Sequence, residues 1–539
     1  MKKIHLSGLE LSLDEGEEDL ATKAARAIGV SESDIISLAV VRKALDARRN
    51  KPPHFVYAAE ISLAGEAKLP DTLPDGMQIR FSAEETANKP ELDTVRGMSP
   101  ERLPVVVIGT GPAGLFAAYT LALKGVSVLL LERGRPIERR IKDVRNFWEK
   151  GVLDGESNVL FGEGGAGTFS DGKLTSRTKN PYAGWVKRVL VEMGAPPSIL
   201  TEAKPHIGTD RLREVIVRMR GKLMELGCIV QFENKVSDFV IRQGKISAVI
   251  VNAANEIRTD KVILALGQSA DDTYEKLLDR GVKMEPKPFA MGLRIEHPQA
   301  LINAIQYGRW SNHAALPPAE YFVTAKVPEQ DRSVYTFCMC PGGQVIGCSA
   351  MPGSVITNGM SNSRRDGEFA NSAVVATIRV EDFVKEGGPL CGLVFRRHWE
   401  SRAFEAGGGN YYAPVQRLSE FIERKSTGVV GRTSFLPGVK ASLLCEVLPD
   451  FVAEALLSGL LQIDKKMPGF ISREAHLIGV ETRTSSPVRI CRGDDGQSVN
   501  VRGLFPCGEG AGYAGGIISS ALDGIKAAMG VTAVIGGRQ

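Results

Sequence analysis

The central part of the sequence combines apolar runs with a glycine-rich turn. Residues 105–108 are all apolar, a turn with three glycines follows, and residues 115–124 have a helical pattern that Gly125 ends. A second apolar run, residues 126–131, leads directly to Glu132. A run that is apolar at every position indicates a strand buried on both faces, as in a parallel sheet. The pattern predicts a strand–turn–helix–strand unit of a Rossmann-like domain.

The N-terminal part has a pattern of strands and one helix that is typical of a small α/β module. A strand over residues 4–13 precedes an amphipathic helix that Gly29 ends, and two more strands follow over residues 36–45 and 55–63. The turn between them, residues 46–53, has a basic tip, which predicts either a solvent-exposed loop or an anion- or RNA-binding site.

The polar stretch 82–104 lacks apolar periodicity and predicts a linker. The accessory module with most of this linker therefore spans residues 1–95. Further along, antiparallel strands are predicted over residues 228–257, and buried strands ending in glycine over 260–267 and 503–510. A helix through Ala528 follows the last of these strands.

Composition narrows the class of protein. Of 539 residues, 43% are hydrophobic and 24% charged, which excludes a disordered or fibrous chain. The net charge of +4 gives no support for a nucleic-acid or membrane-surface role. Eight scattered cysteines include no C-x-x-C pair, so we expect neither a metal site nor a disulfide framework. Without a signal-peptide pattern or a long uninterrupted apolar span, a soluble cytoplasmic protein is expected.

The glycine-rich turn has the spacing of a dinucleotide-binding site. Gly109 permits the tight turn, Gly111 lets backbone amides approach a pyrophosphate, and Gly114 lets the helix lie close to the strand. The helix N-terminus offers unpaired N–H groups and partial positive charge to the phosphates. Glu132 is placed to accept hydrogen bonds from ribose hydroxyls and would repel a 2′-phosphate.

These motifs resemble those of FAD-dependent oxidoreductases of the glutathione-reductase-like superfamily, and most closely a family of bacterial FAD-dependent dehydrogenases with no assigned substrate. Glu509 stands where the superfamily pattern usually has Asp. The segments that carry the resemblance are residues 162–173, Cys338-Met339-Cys340-Pro341-Gly342-Gly343, residues 358–361, residues 481–489 and residues 508–517.

The resemblance implies FAD as the cofactor and a set of residues that bind it. A second G-x-G-x-x-G motif with a preceding strand and a following acid is not found in the sequence, so NAD(P)H would bind only transiently near the flavin. The predicted cofactor-binding residues are Gly109, Gly111, Pro112, Ala113, Gly114, Glu132, Arg133, Gly134, Gly164, Gly165, Phe169, Ser170, Gly172, Lys173, Val236, Ala265, Gly267, Gly508, Glu509, Gly515, Gly516 and Ile517.

The predicted fold is α/β, with a discontinuous Rossmann-like FAD-binding domain at residues 96–283 and 484–539. An inserted α+β substrate domain at 284–483 and the N-terminal α/β module complete it. Gly515 and Gly516 open a helix whose N-terminus would stabilise negative charge on the reduced flavin, unless they serve only helix packing.

Candidate catalytic residues come from the predicted substrate domain and from the glycine-rich loop at residues 162–173. Lys173 closes that loop and is expected near the flavin. Cys338 and Cys340 point the same way on a strand and are either redox-active or simply buried thiols.

Further candidates are charged residues with structural alternatives. Arg294 and Glu296 share a strand face and are expected to form an ion pair, while His297 is an acid–base candidate or a turn residue. Glu481 with Arg483, and the run 364–366, either bind an anionic substrate or lie on a solvated surface.

The predicted function is hydride transfer between an unidentified organic substrate and flavin, with NAD(P)H as a possible donor. The alternative is a flavin-binding protein that associates with or modifies RNA through the basic N-terminal turn. Partners other than a small-molecule substrate, such as a membrane or nucleic acid, are not expected, and the sequence does not define an oligomeric state.

Overall fold

The computed structural model describes residues 2–48, 51–64, 69–70, 72–81, 103–176 and 178–537. It confirms the predicted fold class, a mixed α/β protein with a Rossmann-like parallel sheet. The predicted linker lies outside the described residues except for its last two. The proposed boundaries between domains stay predictions.

The N-terminal module is a four-stranded antiparallel sheet with one helix on it. The strand order is β2-β3-β1-β4, and the helix ends at Gly29, which adopts a left-handed φ of 69°. The basic tip contains an arginine that is already paired, because Arg48 forms a salt bridge with Asp46; Arg49 lies outside the described residues. The elements are β1 (Lys2–Ser12), α1 (Leu20–Ile28), β2 (Ile35–Asp46), β3 (His54–Leu63) and β4 (Gln78–Phe81).

The rest of the chain supplies the other elements in two stretches. The first contains β5 (Val105–Ile108), α2 (Pro112–Leu123), β6 (Val128–Leu131), α3 (Ile137–Lys150), α4 (Ala183–Glu192), α5 (Thr209–Glu225), β7 (Ile229–Gln231), β8 (Val236–Arg242), β9 (Lys245–Val251), β10 (Asn255–Arg258), β11 (Val262–Leu264) and α6 (Asp271–Asp279). The second contains β12 (Met284–Pro286), β13 (Phe289–Pro298), α7 (Gln299–Tyr307), β14 (Thr324–Val327), β15 (Arg332–Gly347), β16 (Thr357–Ser361), β17 (Phe369–Ile378), α8 (Cys391–Gly407), β18 (Ala413–Arg417), α9 (Leu418–Ile422), β19 (Val439–Ala441), α10 (Asp450–Lys466), β20 (His476–Glu481), β21 (Val488–Ile490), β22 (Leu504–Pro506) and α11 (Ile517–Ile535).

A five-stranded parallel sheet with the order β22-β11-β5-β6-β7 forms the central layer. All four residues of β5 and of β6 are buried, as continuous apolar runs require in a sheet covered on both faces. The last strand along the chain, β22, lies at one edge of this sheet, so the N-terminal and C-terminal parts of the sequence share one core. The antiparallel meander β8-β9-β10 lies beside it.

An eight-stranded sheet with the order β14-β15-β17-β13-β20-β18-β19, with β16 paired to β15, forms the second large layer. Its core packs against α10, whose buried face includes Leu456, Leu460 and Ile463. Strands β12 and β21 pair with each other, so the residue segments just before β13 and just after β20 lie side by side.

Helix α11 is long and apolar enough to cross a membrane by length and composition, but half of the relevant window is buried inside the protein. It packs tightly on α2, because a Cβ at Gly524 would overlap the carbonyl oxygen of Ala113. This contact identifies α11 as a core helix that covers the parallel sheet.

Candidate functional site

A cavity opens at the carboxyl ends of the parallel strands. Strands β5, β6, β11 and β22 run directly into Gly109, Glu132, Ala265 and Cys507, and all four residues line it. This edge of a doubly wound sheet is where such folds bind ligands. The cavity continues from there to residues of the eight-stranded sheet, including Phe337.

The turn after β5 is so closely packed that two of its positions exclude side chains. Gly109 has a φ of 97°, and a Cβ there would overlap the carbonyl oxygen of Ala265. A Cβ at Gly114 would overlap the carbonyl oxygen of Gly109, so α2 lies directly on the strand end. Gly114 therefore acts through packing and does not itself line the cavity.

Gly111 differs from its neighbours because the space next to it is empty. It is the N-cap of α2, its φ is −70°, and no other part of the protein lies within 4 Å of a Cβ built there. Pro112 occupies the first position of the helix. The unpaired amides of this helix end therefore face open space in the cavity, which is the arrangement an anionic phosphate requires.

The carboxylate of Glu132 organises this turn. Its Oε2 accepts hydrogen bonds from the amide (3.0 Å) and hydroxyl (2.6 Å) of Thr110, and its Oε1 accepts from the amides of Gly134 (2.9 Å) and Gly162 (3.0 Å). These four bonds use the acceptor capacity of an ionised carboxylate. Glu132 lines the cavity as predicted, and a ribose hydroxyl would have to replace one of these donors.

The far end of the cavity brings together a helix N-terminus and several ionisable side chains. Helix α11 begins after Gly516, which has a φ of 114°, and the space beside Gly515 and Gly516 is open. The partial positive charge of this helix end faces the cavity. The polar and aromatic residues that line this end are Lys173, Phe337, Cys338, Asn358, Glu481, Arg483 and Thr484.

Comparison with known proteins shows the family. An FAD binding domain matches residues 102–142, and the C-terminal domain of FAD-dependent proteins matches residues 288–484. An uncharacterized protein of Clostridium beijerinckii is 42% identical over 528 residues, which cover 97% of this chain and 98% of the relative. The chain belongs to a family of FAD-dependent oxidoreductases. The N-terminal module matches a domain of unknown function over residues 3–62 of this flavoprotein.

The solved structures that match the flavoprotein do so with low sequence identity and low TM-scores. A geranylgeranyl bacteriochlorophyll reductase-like protein of Thermoplasma acidophilum is 13% identical with a TM-score of 0.35, covering 81% of this chain and 80% of that one. The flavin-dependent brominase Bmp2 is 14% identical with a TM-score of 0.35 over the same shares.

The residues of the cavity fit FAD. Gly111 and the N-terminus of α2 provide space and hydrogen-bond donors for the pyrophosphate. Gly515, Gly516 and the N-terminus of α11 provide space and donors for the isoalloxazine. FAD supplies the two-electron chemistry when bound. The predicted cofactor-binding residues that line the cavity are Gly109, Gly111, Pro112, Ala113, Glu132, Arg133, Gly165, Ser170, Gly172, Lys173, Val236, Ala265, Gly267, Gly508, Glu509, Gly515, Gly516 and Ile517.

Three further predicted cofactor ligands do not line the cavity, which corrects the prediction of direct contact. Phe169 is buried, with the guanidinium of Arg140 5.0 Å from its ring. Gly134 lies against Gly162, so it permits the close approach of two loops. Gly164 has a φ of 82°, and its role is likewise to shape the glycine-rich loop.

Arg294 and Glu296 do not form the ion pair that the alternation predicted. Arg294 is fully buried and instead donates to Asn371 (2.9 Å) and pairs with Glu481 (3.3 Å). Glu296 accepts hydrogen bonds from the amide and hydroxyl of Ser434. Both carboxylates are buried, which raises the pKa of each to about 7. Arg294 does not line the cavity and acts through its neighbours.

His297 is neither an exposed turn residue nor an available acid. It is fully buried, its Nε2 lies 2.9 Å from the carbonyl oxygen of Phe470, and burial lowers its pKa to about 4. It is also separated from the cavity wall. The sequence showed the residue type but not its depth in the core.

Two of the arginines predicted to attract an anionic substrate are already neutralised, whereas Arg364 is exposed. Arg483 lines the cavity, but its Nε and Nη2 donate to Glu400 at 3.0 Å and 2.9 Å. Arg365 is buried in an ion pair with Asp171 instead of lying on a solvated surface. Carboxylates therefore compensate the charge of both guanidinium groups, although the Nη1 of Arg483 makes no hydrogen bond to the described residues.

The two cysteines of the C-x-C segment have different environments. Cys338 is half-buried and lines the cavity, whereas Cys340 is fully buried and does not. The register of β15 against β17 shifts between Phe337 and Cys340, so regular alternation is broken. The two thiols therefore lie on an irregular part of this strand, and a redox role for them stays a prediction.

Sequence reasoning missed Arg140, the residue that holds the glycine-rich loop. It is fully buried and donates to the carbonyl oxygens of Asn158 (2.8 Å), Val159 (2.8 Å), Glu163 (2.6 Å) and Gly165 (2.9 Å). An arginine among the charged residues of α3 gives no local signal of this role. Gln268 was also missed; it lines the cavity and donates to Glu509 at 2.8 Å.

Proposed function

We propose that the protein is a dehydrogenase that transfers a hydride between an organic substrate and N5 of FAD. The observation that carries this proposal is the reach of the cavity. It runs from the dinucleotide turn at Gly111 to a cluster of ionisable side chains contributed by the eight-stranded sheet and the glycine-rich loop. A dehydrogenase needs a group at this end that accepts or donates the proton accompanying the hydride.

The chain's own residues divide this work. The N-terminus of α2 binds the phosphates, and the N-terminus of α11 stabilises the negative charge that reduction brings to the flavin ring. Glu481 lines the cavity with a pKa that burial raises to about 7, so it exchanges a proton near neutral pH. Lys173, which lines the same cavity and forms a salt bridge with Asp171 at 3.0 Å, supplies a positive charge.

The proposal extends to organisation and location. Residues 284–483 form the substrate domain between the two parts of the FAD domain, residues 96–283 and 484–539, in the manner of glutathione-reductase-like dehydrogenases. A nicotinamide donor would bind only transiently, because the sequence contains one dinucleotide motif.

The eight cysteines are all free, which fits a protein of the reducing cytoplasm. Nothing described here favours the RNA-binding alternative.

Anaerobic reduction of the FAD-loaded protein tests this function. The protein is mixed with NADH, with NADPH and with a deproteinised metabolite extract, and flavin absorbance at about 450 nm is followed, a property of the cofactor. Bleaching by at least one of the three identifies the hydride donor class. A flavin that is reduced photochemically but by none of these donors contradicts the proposal.

A further inference from the structure

Two positive side chains surround the Cys338–Cys340 segment. The Nη2 of Arg294 donates to the carbonyl oxygen of Cys338 at 2.7 Å and lies 3.5 Å from the sulfur of Cys340. Lys173 donates to the carbonyl oxygen of Met339, between the two cysteines. Because Arg294 is fully buried, water does not screen its charge from the sulfur atoms.

The backbone presents only one of the two thiols to the cavity. Cys338 has a φ of 49°, a left-handed conformation that is uncommon for a residue with a side chain. It lies in the bulge of β15, next to the half-exposed ring of Phe337, and both residues line the cavity. Strained backbone of this kind is concentrated at functional sites, where it orients a particular side chain.

The side chains around the Cys338 thiol carry more positive than negative charge, so an additional anion would be stabilised there. Lys173, Arg294 and Arg365 are positive, whereas Asp171 is the one carboxylate of the group whose pKa is held low, at about 2, by Lys173 and Arg365 against the effect of burial. Glu481 is partly protonated at neutral pH because burial raises its pKa to about 7.

Two further ionisable neighbours, His206 and Tyr321, do not supply that anion. Burial lowers the pKa of His206, beside Arg365, and raises the pKa of Tyr321, beside Arg294. Both side chains are therefore neutral. The neighbouring Cys340, whose thiol donates to the carbonyl oxygen of Cys338 at 3.4 Å, and the charges of Lys173 and Arg294 lower the pKa of Cys338 to about 6, and the pKa of Cys340 is raised.

We propose that Cys338 is a nucleophilic thiolate of the flavin cavity and that it takes a ligand with an electrophilic carbon. Cys340, whose thiol donates to the carbonyl oxygen of Cys338, is its positioning residue, and Lys173 and Arg294 stabilise the negative charge. The inference rests on the proposed function only in placing this thiolate beside the flavin. The chemistry is that of an activated thiol: a thiolate next to cationic side chains, accessible from a cavity.

Alkylation by iodoacetamide tests the thiolate directly. The sulfur forms a bond to the methylene carbon, the carbon–iodine bond breaks and iodide leaves, without any change of oxidation state in the protein. The FAD-loaded protein is alkylated from about pH 5 to about pH 9, a range spanning shifted and ordinary thiol pKa values. Peptide mass spectrometry then gives the rate at each cysteine.

Cys491 is an internal control, because it is also partly exposed but burial raises its pKa. The rate at Cys338 is expected to rise with a midpoint near pH 6. At pH 7 it should exceed the rate at Cys491 by at least about tenfold, since one pKa unit is a factor of ten in thiolate. Cys491→Ser should leave the Cys338 profile unchanged.

The alkylation midpoint of Cys338 in variants of its neighbours distinguishes a thiolate stabilised by those neighbours from a cysteine that is merely accessible. Cys340→Ala and Lys173→Met should each move the midpoint of Cys338 upward, and Cys340→Ser, which keeps a donor, should restore it. A Cys338 midpoint at or above that of Cys491 overturns the proposal, as does a Cys338–Cys340 disulfide in the air-oxidised protein.

Flavin content is measured in the same samples. Fast alkylation of Cys338 in protein that cannot bind flavin would refute the proposed function and leave the thiolate standing. Normal flavin content with an unshifted Cys338 would refute the thiolate alone.

Discussion

At the scale of single residues, Gly111 is needed for cofactor binding but not for folding. Its φ of −70° suits any residue, and the space beside it is empty in the protein. We therefore expect Gly111→Val to fold normally but to place a side chain where the pyrophosphate must lie. FAD affinity should fall by at least about tenfold, since this glycine serves close phosphate approach.

Equilibrium titration with FAD, together with thermal unfolding of the FAD-free protein, measures both effects. Gly221→Ala is the matched control, because Gly221 also has open space around it but lies in α5, away from the cavity. Gly114→Ala should instead destabilise the fold, because its Cβ overlaps a carbonyl oxygen. Unchanged FAD affinity in Gly111→Val would show that the phosphates bind elsewhere.

Glu509 makes stability depend on pH. Burial raises its pKa from 4.5 to about 7, so the folded protein holds this proton more tightly than the unfolded chain. Its contribution to stability is fully present below about pH 4.5 and is lost as the pH rises through about 7. Glu509→Gln should therefore gain stability relative to the wild type as the pH rises, by up to about 3 kcal/mol at pH 8.

Urea unfolding of FAD-free protein at pH 5 and pH 8 provides this comparison. The relevant quantity is the difference in the free energy of unfolding between variant and wild type, which cancels the other titrating groups. A difference that does not grow with pH would mean that Glu509 is ionised without cost.

The residues that could be read from the sequence are those whose role is local. Gly109, Gly111 and Gly114 have fixed spacing within one turn, so the motif carries its own structure. Neither alternative for Arg365, anion binding or a solvated surface, included its burial, because its partner Asp171 is 194 positions away. Burial of a charged residue depends on such distant partners, and no local pattern indicates it.

At the scale of elements, α3 fixes the glycine-rich loop through one side chain. Arg140 is fully buried and donates to four backbone carbonyls, two in that loop and two in the residues just before it. We expect Arg140→Met to leave these carbonyls without donors and to destabilise the loop by about 3 kcal/mol, the range for breaking a buried charged network. Hydrogen exchange of residues 158–169 should accelerate, and FAD binding should weaken.

Arg139→Met is the matched control on the same helix. Arg139 is exposed and forms a surface ion pair with Glu233, which contributes little to stability. Equal hydrogen exchange in the loop for the two variants would contradict the role given to Arg140.

Elements of the parallel sheet were easier to predict than those of the eight-stranded sheet. The strands β5 and β6 are read from continuous apolar runs joined by one turn. In the larger sheet, β13 pairs with β17 and with β20, which lie far along the chain, and the bulge at Cys338 interrupts the alternation. Such pairing depends on the whole fold, so neither the order of these strands nor the exposure of Cys338 was predictable.

At the scale of the whole molecule, a buried charge network connects α8 to the flavin cavity. Glu400 on α8 accepts from Arg483 and Thr482, and Asp271 at the start of α6 accepts from Arg396. In Glu400→Gln, the buried Arg396 and Arg483 have only the carboxylate of Asp271 near both of them. We expect the free energy of unfolding to fall by about 3 kcal/mol, as when a buried ion pair loses one partner.

Denaturant unfolding of the FAD-free protein checks this value against Glu405→Gln. Glu405 lies on the same helix but is exposed, so its change should cost almost nothing. If both variants lose the same small amount, the network does not hold α8 against the cavity.

The most direct test of the whole account is a crystal structure of the protein with FAD bound. We expect the pyrophosphate beside Gly111 at the N-terminus of α2. We expect the isoalloxazine beside Gly515 and Gly516, within reach of Cys338 and Glu481. A flavin ring bound in the opposite direction, or outside the cavity that these residues line, would contradict the proposed hydride transfer and the thiolate together.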